Sequence, residues 1–238
     1  MATRDALGGA RDASDARDDA RAQARARMVD EQLAARGITD ARVLEAMRSV
    51  PREAFVAASL KADAYADRPL PIEAGQTISQ PYIVALMVEA AQLRPQDRAL
   101  EIGAGSGYAS AVMGRLAKEV VAIERHAVLA GLAAQRLREL GVDNVEVRCA
   151  DGSEGCPDRA PFDAILVAAS GPRVPRVLVE QLAPGGRLVM PVGARHEVQQ
   201  LVKVTRLAGG GERQETLCGV AFVPLIGREG WAGDPPAP

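Results

Sequence analysis

Cysteine is scarce in this chain. Cys149, Cys156 and Cys218 are odd in number and form no C-x-x-C pair, which argues against a disulfide framework and against a zinc site and fits a reducing cytosol. Lysine is scarcer than its charge partner: Lys61, Lys118 and Lys203 are the full set, so the positive charge is almost all arginine. With the abundance of alanine, this reads as genome base composition rather than function. The net charge of −2 gives no hint of nucleic-acid or anionic-membrane binding as the main task. No apolar h-region opens the chain, and no apolar run approaches bilayer length. The two histidines, His126 and His196, sit in no triad-like setting. Ser106 lies in A-G-S-G-Y rather than G-x-S-x-G, so a serine hydrolase is not indicated. The expectation is a soluble cytoplasmic protein, a monomer, with no nucleic-acid or membrane partner.

What the chain does hold is a nucleotide-binding turn. Residues Ala99 to Tyr108 read A-L-E-I-G-A-G-S-G-Y, a short apolar run that ends in an acid and breaks into Gly103, Gly105 and Gly107. A helix-compatible run, Tyr108 to Ala117, follows at once. Glycines let the backbone enter otherwise forbidden conformations and admit a ligand close to the main chain. A dinucleotide fingerprint, G-x-G-x-x-G, would need glycine where Tyr108 stands. Downstream, E-V-V-A-I-E reads as a second strand ending in Glu124, about 20 residues after the turn, the usual place for a ribose hydroxyl acceptor. An acid on the ribose without a long pyrophosphate cradle suits S-adenosyl-L-methionine better than NAD.

The surrounding pattern is that of one α/β domain, with 47% hydrophobic and 25% charged residues. Residues 1–21 are nearly all Ala, Arg, Asp and Gly and are expected to form a disordered or weakly helical tail. Residues 22–238 form the expected single domain: a helical N-terminal part over 22–93, with an extended surface loop over 69–82, a nucleotide-binding sheet over 94–227, and a flexible terminus over 228–238. Ser79 followed by Gln80-Pro81 looks like the cap of a helix from Tyr82 to Leu93. Strands are expected at V-E-V-R-C, D-A-I-L-V-A and R-L-V-M-P-V, with helices between them. V-Q-Q-L-V-K-V-T and L-C-G-V-A-F-V-P-L should close the sheet as an antiparallel pair. The fold class is thus an α/β, Rossmann-like doubly wound sheet with a helical N-terminal extension and a closing antiparallel strand pair. In such a sheet Glu101, Glu124 and Asp151, each near a strand end, should converge on one crevice.

P-L-P-I-E-A-G-Q-T-I-S-Q-P-Y, L-E-I-G-A-G-S-G-Y, A-P-F-D-A-I-L-V-A-A, L-x-P-G-G-R-L-V-M-P-V-G and F-V-P-L-I-G occur in order between about Met28 and Gly227. In these stretches the chain resembles the protein-L-isoaspartate O-methyltransferases, which are class I S-adenosylmethionine-dependent methyltransferases. V-P-R-E-x-F-V at 50–56 supports the likeness. The resemblance implies methyl transfer from S-adenosyl-L-methionine to the free α-carboxylate of L-isoaspartyl residues in damaged proteins or peptides. It makes Ser79 the active-site serine, with Gln76, Thr77 and Ile78 lining the cofactor pocket. It assigns Glu101, Gly103, Gly105 and Gly107 to the methionine-side loop, Glu124 to the ribose, and Asp151 with Gly152 to the adenine end. Ala150, Cys156 and Ala221 depart from the family pattern, where glycine, an aromatic residue and arginine are common. They bear on substrate range more than on cofactor binding. A carboxyl methyltransferase dedicated to one peptide, and a non-catalytic cofactor-binding protein, are the alternatives.

Overall fold

The computed structural model describes residues 18–195 and 197–232. Most of the tail expected over 1–21 therefore lies outside the described residues, and 18–27 are α-helical. That helix runs on through a wide π turn at Met28–Leu33 and a tight turn at Ala34–Arg36, and it stops at Gly37, whose φ is +99°. Met28, Val29 and Leu33 are its buried side. Asp40 caps the next helix, α1 (Ala41–Ser49), by accepting from the Arg42 amide at 2.9 Å.

A seven-stranded sheet carries the rest of the chain, in the order β5-β4-β3-β6-β7-β8-β9. Its strands are β3 (Arg98–Ile102), β4 (Glu119–Glu124), β5 (Val145–Cys149), β6 (Phe162–Val167), β7 (Leu182–Val192), β8 (Gln199–Arg206) and β9 (Glu212–Val220). From β5 to β7 the neighbours are parallel, and β8 and β9 close one edge as antiparallel strands. The helices between them are α2 (Pro81–Ala91), α3 (Tyr108–Gly114), α4 (Ala127–Glu139) and α5 (Arg176–Glu180). This is the doubly wound α/β architecture expected from the sequence.

Strand alternation builds two cores, one on each face of the sheet. Ala99, Val120, Ala164, Leu166 and Val189 face the N-terminal helices and α2. Leu100, Ile102, Val121, Ile123, Ile165, Val167 and Met190 pack with Phe162 and Leu178 on the other face. Glu101 shares the first face and so points toward α3. Phe55 meets Tyr108 edge-on, with ring centroids 5.6 Å apart, which ties the N-terminal part to the helix behind the glycine turn.

Several boundaries differ from the sequence expectation. The loop over 69–82 contains a small antiparallel pair, β1 (Leu70–Pro71) with β2 (Thr77–Ile78). The strand expected at R-L-V-M-P-V starts earlier, at Leu182, so that Pro184-Gly185-Gly186 lies within β7, where an irregular register against β6 absorbs it. The last strand starts and ends earlier than expected, because the chain leaves the sheet after Val220. Residues 228–231, expected within a flexible terminus, are hydrogen-bonded back onto the domain. No helix among the described residues is long and apolar enough to cross a membrane.

Candidate active site

β3 ends at Ile102, and the chain then takes left-handed conformations at Gly103, Gly105 and Gly107, with φ of +85°, +55° and +91°. The amides of Gly103 and Ala104 both donate to the Ile123 carbonyl, at 2.8 and 3.1 Å, so the turn is pinned against β4. Gly103 and Gly105 line a cavity of about 360 Å³ above the strand ends. Gly107 has a different place. It precedes α3, and a Cβ there would stand 3.1 Å from the Ala133 Cβ of α4, so its missing side chain lets two helices approach.

The three expected acids take three different settings. Glu124 lines the cavity; one carboxylate oxygen accepts from the Gly105 amide and the other from the His126 amide, each at 2.9 Å. Each oxygen keeps acceptor capacity for a ligand hydroxyl. Glu101 is fully buried and accepts from the Ser110 hydroxyl. Burial pushes its carboxyl up to about 8, the Ser110 hydrogen bond opposes the shift, and the charge of Glu124 adds to it. It lines a smaller pocket of about 40 Å³, shared with Thr77, Ile78, Ser79, Gly103 and Tyr108. Asp151 turns to the C-terminal segment: its carboxylate accepts from the Ser153 amide and hydroxyl and from the Arg228 amide, at 2.9, 2.7 and 2.9 Å. Although burial alone would raise it, these hydrogen bonds hold the Asp151 carboxyl below the usual range. Gly152 does border the cavity, and a Cβ there would fall 2.5 Å from the Ile102 side chain.

The β1–β2 hairpin brings the remaining expected residues over the same strand ends. Gln76 and Thr77 line the cavity that Glu124 borders, while Ile78 turns its side chain into the core. Ser79 does not cap α2. The cap position is Gln80, which makes no side-chain capping hydrogen bond. Instead Ser79 borders a separate cleft of about 420 Å³, walled by Ile83, Val198, Ala221 and Phe222. Among the described residues that cleft has no charged lining side chain. Thr77, Ala168 and Val223 line both the cavity and the cleft, so the two spaces adjoin.

Other residues line the cavity to which the sequence assigns no place there: Arg125, His126, Arg195 and the run Val223–Ile226. One signal was present for the last of these. Pro224 cannot donate to a ladder, so F-V-P-L suits a segment leaving the sheet better than a strand within it.

The cavity's size and walls match a compact nucleoside ligand. Ile102, Ile123 and Leu225 offer apolar surface for a flat base, Glu124 an acceptor for ribose, and the glycine turn a close backbone approach. These residues fit S-adenosyl-L-methionine.

The sequence pattern that defines the protein-L-isoaspartate(D-aspartate) O-methyltransferases matches residues 23–230. A protein-L-isoaspartate O-methyltransferase 1 from Rhodopseudomonas palustris (strain HaA2) is 58% identical over 214 residues, covering 90% of this chain and 87% of its own. A protein-L-isoaspartate O-methyltransferase 2 from Pelobacter propionicus is 56% identical, covering 86% of this chain and 91% of its own. Among solved structures, a protein-L-isoaspartate O-methyltransferase superposes with a TM-score of 0.78 at 29% identity, covering 87% of this chain and 67% of that one. A Plasmodium falciparum beta-aspartate methyltransferase in complex with S-adenosyl-L-homocysteine gives 0.73 at 27% identity, covering 85% of this chain and 98% of that one.

Proposed function

The chain belongs to the protein-L-isoaspartate(D-aspartate) O-methyltransferase family, and we propose that its two adjoining spaces divide the reaction between them. The cavity over Gly103 and Glu124 takes S-adenosyl-L-methionine, and the cleft beside Ser79 takes the isoaspartyl segment. The enzyme is an S-adenosylmethionine-dependent protein carboxyl O-methyltransferase that acts on the free α-carboxylate of L-isoaspartyl residues in damaged proteins and peptides. The observation that carries the division is the shared wall of Thr77, Ala168 and Val223, with Ser79 standing on the cleft side of it.

The bound cofactor supplies a methyl group activated on a sulfonium. The acceptor needs no general base, because a carboxylate with a reference pKa of about 4 is already ionised at neutral pH. What remains for the chain is placement and exclusion of water. The Ser79 hydroxyl, half-buried and without a hydrogen bond among the described residues, donates to the incoming carboxylate and aims it at the shared wall. Ile83 and Phe222 strip water from the acceptor. Alignment of this kind is worth roughly 7–11 kcal/mol of barrier. The amide nitrogen of the following residue then attacks the methyl ester without further help and expels methanol to close a succinimide, and addition of water to that ring restores part of the material to normal aspartate.

We further propose a cytoplasmic monomer. The reading is supported by three free cysteines and by exposed large apolar side chains, Val128, Val198 and Leu207, that are few among the described residues.

The test is labelled-methyl transfer from S-adenosyl-L-methionine to an isoaspartyl peptide, beside the same peptide carrying normal aspartate. Transfer to the first alone is expected. Equal transfer to both, or to neither, would refute the assignment.

A further inference from the structure

After Val220 the chain becomes a strap that crosses the carboxyl ends of the strands. Its first half is pinned beside β6: the Ser170 amide donates to the Val223 carbonyl at 2.8 Å, and the Leu225 amide donates to the Ser170 carbonyl at 2.8 Å. Between and just beyond these anchors, Val223, Pro224, Leu225 and Ile226 form one wall of the cofactor cavity. The strap then folds back on itself. The Trp231 amide donates to the Leu225 carbonyl at 2.7 Å, the Gly227 amide to the Trp231 carbonyl at 3.1 Å, and the Trp231 indole N–H to the Ser170 carbonyl at 3.0 Å.

The far side of this fold is fastened beside β5. The Arg228 amide donates to Asp151 at 2.9 Å, the Glu229 amide to the Ser153 hydroxyl oxygen at 3.0 Å, and the Arg228 guanidinium pairs with Glu154 at 3.0 Å. The contact leaves no room for side chains: a Cβ on Gly227 would lie 2.0 Å from an Asp151 oxygen, and one on Gly230 would lie 2.1 Å from the Leu225 carbonyl. In the sheet, β3 and β4 lie between β6 and β5. The strap therefore bridges the two strand ends that carry the glycine turn and Glu124.

We propose that Trp231, with the Asp151–Ser153 turn, forms a clasp that holds Leu225 and Ile226 against the nucleoside end of the bound cofactor. Trp231 is then a positioning residue for cofactor binding, although it lies outside the cavity lining. Asp151 and Ser153 serve as the anchor that fixes the strap, and they act on the cofactor through it. The inference rests on the cofactor assignment above, and its test begins with a control that separates the two.

Calorimetry with S-adenosyl-L-homocysteine on the full-length protein is that control: no binding by the wild type would defeat the cofactor assignment itself. With binding established, Trp231→Ala is compared with Trp231→Phe and Ser153→Ala. Loss of the indole hydrogen bond together with the packing of the ring should raise both the KM for S-adenosyl-L-methionine and the Kd for S-adenosyl-L-homocysteine by about 10-fold in Trp231→Ala. The two milder variants, which also keep the test open if Trp231→Ala does not fold, should show about 3-fold effects. At saturating cofactor, kcat and the KM for the isoaspartyl peptide should stay within about twofold of wild type. Trp231 is the one tryptophan of the chain, so its emission reports on the strap directly, and saturating S-adenosyl-L-homocysteine should reduce its quenching by acrylamide. Unchanged cofactor affinity in all three variants would overturn the proposal. So would equal losses of cofactor and peptide affinity alongside a lowered melting temperature, the pattern of a merely structural role.

Discussion

Arg136 and Glu73 form an ion pair at 3.1 Å. Arg136 belongs to α4, behind the glycine turn, and Glu73 to the hairpin that leads to Ser79. The same guanidinium donates to the Ser106 carbonyl at 3.4 Å, and the Arg136 side chain is only 13% exposed. One side chain thus ties the Ser79-bearing segment to the cofactor turn.

Arg136→Ala should loosen that tie. Glu73 is partly exposed, so the pair alone is worth about 1 kcal/mol or less, and the loss of stability should be small. The effect on turnover should be larger, because the hairpin sets the distance between the two spaces. A fall in kcat/KM of about 5- to 10-fold is expected, with partial recovery in Arg136→Lys, which keeps the charge but not the forked geometry. Steady-state kinetics with both substrates varied would check this.

Ser79→Ala tests the serine directly. Because Ser79 caps no helix, its hydroxyl can be removed without the usual capping loss of about 1 kcal/mol. The variant should fold, melt near the wild-type temperature and bind S-adenosyl-L-homocysteine normally. A hydrogen bond to a charged carboxylate contributes about 1.5–3 kcal/mol, so methyl transfer should fall by about 10- to 100-fold. Wild-type turnover in Ser79→Ala would remove the hydroxyl from the mechanism.

The fold and the walls that the glycine turn and Glu124 give the cavity were legible in the sequence because their signals are local. The glycine triplet, the acid ending β4 and the continuous apolarity of β6 each lie within a few residues of what they specify. The place of Glu124 at the cavity could be read from spacing alone. The setting of Asp151 could not, since its partner Arg228 is 77 residues away. A strand-end acid looks the same whether it faces a ligand or holds a strap. Glu101 was similarly opaque: alternation assigns its face, but the Ser110 hydroxyl that meets it belongs to the following helix. Ser79 carried a helix-cap signature, yet the hairpin hands that position to Gln80.

Glu101 should leave a mark on the pH dependence of stability. Its carboxyl is raised to about 8 in the folded protein, chiefly by burial, against an ordinary value of 4.5. Between those values the folded state holds a proton that the unfolded state has released. Stability is therefore full below about pH 4.5 and declines as the pH rises toward 8. The greatest slope one such group can impose is about 1.4 kcal/mol per pH unit. Glu101→Gln keeps the shape without the titration, so its stability relative to wild type should rise with pH across this window. Urea unfolding of both proteins at several pH values would measure it, and parallel profiles would show that Glu101 titrates normally.

Ala221 is expected to bear on which isoaspartyl sites are repaired. It lies exposed at the edge of the cleft beside Ser79, among walls that carry no charge among the described residues. With an uncharged rim, the residue next to the isoaspartate is expected not to be selected for its sign. Ala221→Arg would introduce a cation there, and a partly exposed pair with an acidic neighbour contributes about 0.5–1 kcal/mol. Peptides with glutamate beside the isoaspartate should gain about 2- to 5-fold in kcat/KM over those with lysine, while the KM for S-adenosyl-L-methionine should not move. A shift in the cofactor KM without a change in peptide preference would mean that Ala221 acts through the neighbouring strap, and that the flanking residue lies outside this cleft.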